Sequence, residues 1–120
     1  MLLHDSSLEG VLSKNGQVIL TFSKEGKEIM IRLENVAFLI MNDFLLGNIV
    51  LDAEVAKIAD IDVDVEFEYA ISEGFINENF INNVNENDLY FKITPTYGCE
   101  LQVICKEIKS DNIDVMQYCT

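Results

Sequence analysis

Asn15-Gly16-Gln17-Val18-Ile19-Leu20-Thr21-Phe22-Ser23-Lys24-Glu25-Gly26-Lys27-Glu28-Ile29-Met30-Ile31-Arg32-Leu33 decides the fold class. Strands send successive side chains to opposite faces, so Val18, Leu20 and Phe22 share one face while Gln17, Thr21 and Ser23 share the other. Asn-Gly ahead of this run is the strongest short hairpin signal, because both residues tolerate positive φ. Lys24-Glu25-Gly26-Lys27 reads as a second turn, after which Ile29, Ile31 and Leu33 again line one face. Together with residues 8–12, these segments predict an antiparallel meander.

The same punctuation continues outward. Residues 36–41 are apolar on both faces, which suits a strand covered on two sides, with a helical turn as the alternative that period alone leaves open. A connection around Gly47 follows. In residues 49–59 the alternation resumes, with Ile49, Leu51, Ala53 and Val55 expected inward and Asp52 and Glu54 outward. Ile76, Phe80 and Val84 recur every four residues and predict one short helix near residues 73–84. Its many asparagines compete for backbone bonds, so it should fray near Asn85. Further strands are expected at 89–94, 99–109 and 113–118, separated by turns at Pro95-Thr96-Tyr97-Gly98 and Ser110-Asp111-Asn112. Eight or nine strands with one inserted helix make a mainly β chain, an antiparallel β-sandwich or partly open barrel, in a single domain over 1–120.

Charge gives the chain its character. Net charge is −13, and residues 51–91 hold eleven acidic side chains against Lys57 alone. Within that stretch, Asp60-Ile61-Asp62-Val63-Asp64-Val65-Glu66-Phe67-Glu68-Tyr69 alternates throughout. As a strand it would put five carboxylates on one face. Pairing with residues 49–55 would set Asp52 and Glu54 beside Asp60, Asp62, Asp64, Glu66 and Glu68. Carboxylates about 7 Å apart in water repel by roughly 0.6 kcal/mol, less than burial of each apolar neighbour returns, about 1.5–3 kcal/mol. A solvated edge that resists aggregation through charge is one reading of the row. Two functional readings stand beside it: a surface for a basic protein partner, or a cross-strand calcium site using Asp52, Glu54, Asp64 and Glu66. An EF-hand is excluded, because Val65 and Ile71 stand where its loop needs glycine and glutamate.

Other classes of function find little support. Arg32 is the single arginine and the lysines are scattered, so neither nucleic acid nor anionic membrane is an expected partner. No basic leader precedes a long apolar run, and the longest uninterrupted apolar stretch, 36–41, is too short to span a bilayer. Three cysteines without an export signal favour reduced thiols and a cytoplasmic location. Cys99 and Cys105 would lie about 20 Å apart along one strand, beyond disulfide reach, and belong in the core; Cys119 is expected to be exposed. His4-Asp5-Ser6 contains triad residue types, but adjacent extended residues diverge, so a polar contact near the first strand is expected instead. Tyr97 is read as a packed ring at a strand connection rather than a binding anchor. No cofactor motif, catalytic constellation or zinc spacing is present, and an enzyme is not expected.

Leu3-His4-Asp5-Ser6, the successive hairpins and Gly47-Asn48-Ile49 resemble small bacterial β-domains. In size, acidity and lack of catalytic motifs the chain is similar to bacterial immunity proteins. That resemblance implies a tight, non-enzymatic complex that neutralises a basic toxin. The expectation is therefore an acidic protein-interaction domain engaging a basic protein through Asp52, Glu54, Asp60, Asp62, Asp64, Glu66 and Glu68. A calcium-binding domain is the alternative, and a structural homo-oligomer joined through an exposed strand or apolar patch is a third.

Overall fold

The computed structural model describes residues 3–110. Eight strands form one antiparallel sheet: β1 (Ser7–Lys14), β2 (Gln17–Lys24), β3 (Lys27–Glu34), β4 (Phe38–Asn42), β5 (Asn48–Lys57), β6 (Leu89–Tyr97), β7 (Glu100–Cys105) and β8 (Glu107–Ser110). Their order across the sheet is β4-β7-β6-β5-β1-β2-β3-β8. The predicted meander is β1-β2-β3. Lys14 pairs with Gln17 and Lys24 with Lys27, so each hairpin closes over two residues. Asn15 and Gly16 have φ of 54° and 74°, and Glu25 and Gly26 have 53° and 76°. Two successive positive φ values match the right-handed twist of the flanking strands.

Short corners fold this sheet back on itself. Only residues 35–37 separate β3 from β4, and only Lys106 separates β7 from β8. The corner is held by Ala37 N donating to Ile104 O (2.8 Å) and Lys106 N donating to Glu34 O (3.1 Å). The expected strand over 99–109 is therefore two strands, β7 beside β4 and β8 beside β3. Between β1 and β5 the ladder is brief: Ser7 with Ile49 and Leu8 with Asn48. One core fills the space inside the fold, joining Val18, Leu20, Phe22, Ile31 and Leu33 of the meander to Phe91, Ile93, Leu101, Val103 and Cys105. Cys99 and Cys105 lie in this core, as expected.

The stretch after β5 departs from expectation. Residues 60–69 are not a strand. A 3₁₀ turn (Ile58–Asp60) leads into α1 (Val63–Glu66), α2 (Glu68–Ser72) and, after a bend at Gly74, α3 (Glu78–Asn83). β5 pairs with β6, from Ile49 with Tyr97 to Lys57 with Leu89, so residues 58–88 are the long connection of a β5–β6 hairpin. Burial at Val63, Glu66, Phe67, Ala70 and Ile71 follows the helical period, not the period of two. Ala70 already breaks the alternation, and Asp and Glu are poor strand residues. Asp62 caps α1, accepting from Val65 N (3.3 Å), and Asn77 caps α3, accepting from Phe80 N (2.9 Å). The helix expected over 73–84 is thus confined to α3, with two more helical turns ahead of it.

Three smaller corrections have local causes. Ile49 and Leu51 face outward and Val50 inward, because register shifts after Ile49 and after Val50 reverse the parity before Ala53. β6 continues through Pro95 to Tyr97, so the turn is confined to Gly98 and Cys99. Tyr97, expected to be packed, is exposed. The strand expected at 113–118, Asp111 and Asn112 of the turn before it, and Cys119 lie outside the described residues, while Ser110 is the last residue of β8.

The insert covers the outer face of β4, β7 and β6 with a second core of Ile58, Phe67, Ala70, Ile76, Tyr90 and Ile104. Hence β4 is covered on two sides, as its composition predicts: Leu39 packs on the inner core, Phe38 and Ile40 on the outer one.

Candidate functional site

Residues 58–88 hold nine of the chain's twenty-one acidic residues and none of its eight basic ones. Two of the nine are paired. Asp88, at the neck, takes Lys106 Nζ at 3.0 Å, and its main-chain oxygen accepts from Ile58 N at 2.9 Å. Glu66, on the underside, takes Lys92 Nζ at 3.2 Å. The other seven, Asp60, Asp62, Asp64, Glu68, Glu73, Glu78 and Glu86, are exposed. None of the seven forms an ion pair with a described residue. Such unbalanced charge on one segment sets up a negative field that extends about a Debye length, roughly 10 Å at 0.1 M salt.

Apolar groups interrupt this surface. Val65, Tyr69 and Phe75 are 65%, 51% and 58% exposed. The rings of Tyr69 and Phe75 meet at 6.2 Å between centroids, inclined at 61°. Exposed aromatics beside charge are the usual anchors of protein interfaces. Phe75 also lines a cleft of about 280 Å³ with Phe38, Leu39, Ile40 and Met41.

A buried polar cluster pins the insert to the sheet. Gln102, only 5% exposed, donates from Nε2 to the main-chain oxygen of Glu66 (2.6 Å) and to Tyr90 Oη (2.8 Å). Tyr90 Oη donates to Glu66 Oε2 at 3.1 Å, which also accepts from Lys92 Nζ. Burial, with the nearby Glu66 and Glu54 carboxylates, raises the Tyr90 phenol well above its ordinary value and keeps it a donor. Phe67 is fully buried, edge-on to Phe38 (5.9 Å) and Tyr90 (5.2 Å). No buried side-chain nitrogen or oxygen among the described residues is left without a partner.

The expected row of carboxylates is therefore not a row. Asp60 sits in the 3₁₀ turn, Asp62 is a helix cap, Asp64 and Glu68 are on separate helices, and Glu66 points beneath them. Asp52 and Glu54 lie on β5, opposite Thr94 and Lys92. Glu54 and Glu66 both act electrostatically on Tyr90. The cross-strand cation set is not assembled: among the described residues, no group of three or more His, Cys, Asp or Glu is placed to hold a metal ion.

The remaining candidates are accounted for locally. His4 Nδ1 donates to Leu51 O (2.7 Å) and its Nε2 lies 3.4 Å from Asp5, while buried Ser6 donates to Leu3 O at 2.6 Å. This is the polar contact expected near the first strand, with no relay between the histidine and the serine. Burial, aided by Asp43 and Glu100, pushes the Cys99 thiol up to about 11. Burial and then Asp88 push Cys105 up to about 12. Both are held as unreactive thiols at neutral pH.

Gln102, Tyr90, Lys92 and the Tyr69–Phe75 pair are what the sequence reading missed. One signal was present: Gln102 is the sole polar side chain from Leu101 to Cys105, so a strand buried on both faces must give it partners. Comparison with known proteins finds no matching family model, no matching curated protein and no matching solved structure. No helix among the described residues is long and apolar enough to cross a membrane.

Proposed function

We propose that this chain is a non-enzymatic, acidic protein-interaction domain whose helical insert docks a basic protein. The observation that carries this reading is the insert itself: nine acidic residues and no basic one in 58–88, with exposed Tyr69 and Phe75 among them. Opposite charge would speed encounter and fix orientation. The aromatic pair, once desolvated, would supply the stabilisation that exposed charges lack. Asp60, Asp62, Asp64 and Glu68 are the proposed contacts. Glu66 ties the insert to Lys92 and Tyr90 from beneath, while Glu54 and Asp52 lie on β5 outside it. Neutralisation of a toxin, as by an immunity protein in the cytoplasm, is the specific form this interaction takes in our reading.

The test is affinity capture from the native host at low and high salt. It compares the native chain with the triple variant Asp60→Lys, Asp64→Lys, Glu68→Lys and with Tyr69→Ala, Phe75→Ala. A basic protein retained by the native chain and lost by both variants supports the proposal. An unchanged captured set sinks it, provided circular dichroism shows both variants folded.

A further inference from the structure

The two edges of the sheet are guarded differently. β8 carries Glu107 and Lys109, and Lys109 also pairs with Glu34 at 3.1 Å. Charged edges of this kind block edge-to-edge pairing. β4 has none of these guards. Its residues Phe38, Leu39, Ile40 and Met41 are apolar, and its register with β7 runs unbroken from Phe38–Ile104 to Asn42–Glu100. Among the described residues, β7 is its one neighbour in the sheet. Alternate residues of such a strand turn their N–H and C=O groups away from the ladder. No described residue hydrogen-bonds the main chain of β4 from that side.

The cleft beside β4 locates this edge. It is lined by four consecutive strand residues, Phe38, Leu39, Ile40 and Met41, together with Phe75. Consecutive strand residues point to opposite faces. A cleft that touches all four must therefore run along the edge of the strand, not across one face. Its surroundings are acidic: Asp43 follows β4, Glu100 stands opposite Asn42, and Glu73 and Glu78 flank Phe75 in the chain. Between Arg32 and Lys57 there is no basic residue.

We infer that the free edge of β4 accepts an extended, lysine- or arginine-bearing segment of the basic partner as an added strand, with apolar side chains in the cleft against Phe75. This rests on the proposed function and gives its mode of docking. Main-chain hydrogen bonds would supply affinity and the cleft would select alternate side chains. A second copy of the chain is the less favoured occupant, because each copy carries −13.

Three fluorescent probes test it on the full chain: a short peptide alternating lysine and valine, the same peptide N-methylated along its backbone, and a glutamate–valine counterpart. N-methylation keeps charge and side chains but removes the donors a strand needs. The lysine peptide should bind roughly tenfold or more tightly than its methylated form, since its main-chain hydrogen bonds to the edge are lost. The glutamate peptide should not bind, and hydrogen exchange should show new protection at residues 38–42. Equal affinity of the two lysine peptides, no binding, or protection elsewhere overturns the inference. If both bind equally and both are lost from the Asp60→Lys, Asp64→Lys, Glu68→Lys variant, the acidic docking surface stands and strand addition falls. Amides at 38–42 protected before any peptide is added, in a monomer or in a salt-induced dimer by light scattering, would assign the edge to this chain itself.

Discussion

Replacing Gln102 by alanine tests whether the buried polar cluster holds the acidic insert in place. The side chain gives two hydrogen bonds, to Glu66 O at 2.6 Å and to Tyr90 Oη at 2.8 Å. Each contributes about 1 kcal/mol net, and the lost methylene packing adds roughly 0.8 kcal/mol. Tyr90 keeps Glu66 Oε2 as its acceptor, whereas the Glu66 main-chain oxygen loses this buried donor. The expected loss is about 3 kcal/mol, or a fall of about 10 °C in Tm for a domain of this size. Urea titration gives the global value, and native-state hydrogen exchange shows where it falls. Amides of α1 and α2 should lose protection most, since Gln102 is the direct link from β7 to that turn. Gln17→Ala is the control. Its Nε2 reaches Glu34 over 3.4 Å near the surface, and its loss should cost under about 0.5 kcal/mol. A Gln102→Ala variant within about 1 kcal/mol of the native chain, with unchanged exchange in 63–72, would refute the pinning role.

Three further outcomes follow from other parts of the fold. Gly98→Ala should cost at least about 2 kcal/mol by denaturant titration, because φ is 87° and a Cβ there would overlap Asn48 Oδ1. Asn48 cannot yield, since its amide bonds Leu45 N, Leu45 O, Cys99 N and Leu8 O. Gly16→Ala, with φ of 74° but open space around it, should cost only about 1 kcal/mol. In alkali, folded Cys99 and Cys105 keep their protons to about 11 and about 12, while the unfolded thiols release theirs near 9. Their contribution is therefore complete below pH 9 and declines above it, by up to about 1.4 kcal/mol per pH unit for each thiol. Urea midpoints at pH 8 and pH 10.5 should differ less in the Cys99→Ala, Cys105→Ala variant than in the native chain, and an equal drop would refute the assignment. Finally, Tm of the native chain should rise as salt screens the insert, and the rise should shrink in Asp60→Asn, Asp64→Asn, Glu68→Gln.

How far the sequence discloses this fold depends on where its signals are local. Asn15-Gly16 and Glu25-Gly26 specify their hairpins through φ alone, so β1-β2-β3 is legible from turn chemistry and alternation. The apolar segment 36–41 announces a strand covered on both sides. Residues 60–69 mislead because two periods overlap there. The alternation of acids and aliphatics is perfect, yet Val63, Phe67, Ala70 and Ile71 also make a helical stripe. The decision between them is tertiary: in the helical segment Phe67 packs edge-on against Phe38 and Tyr90. A bulge has the same effect at Leu51, where one additional residue reverses which side chains face inward. Tyr69 and Phe75 could not be recognised as an exposed pair from spacing, because a turn at Gly74 brings their rings together.

The helical form of the insert also bears on function. As a strand, its carboxylates would have stood in one line beside Asp52 and Glu54, repelling along the whole ladder. As three short helices, seven acids are spread over an outer surface while Glu66 turns inward onto Lys92 and Asp88 holds the neck through Lys106. The helices have too few residues to be stable alone, so the insert persists because Phe67, Ala70 and Ile76 bury against β6, β7 and β4. Repulsion among the exposed acids works against that docking. The cationic partner proposed above, bound over them, would relieve the repulsion and so stabilise the insert, by mass action on the folded form alone. On that proposal partner affinity and insert stability would be linked, and a substitution beneath the insert, such as Gln102→Ala, should weaken capture without touching a single proposed contact residue.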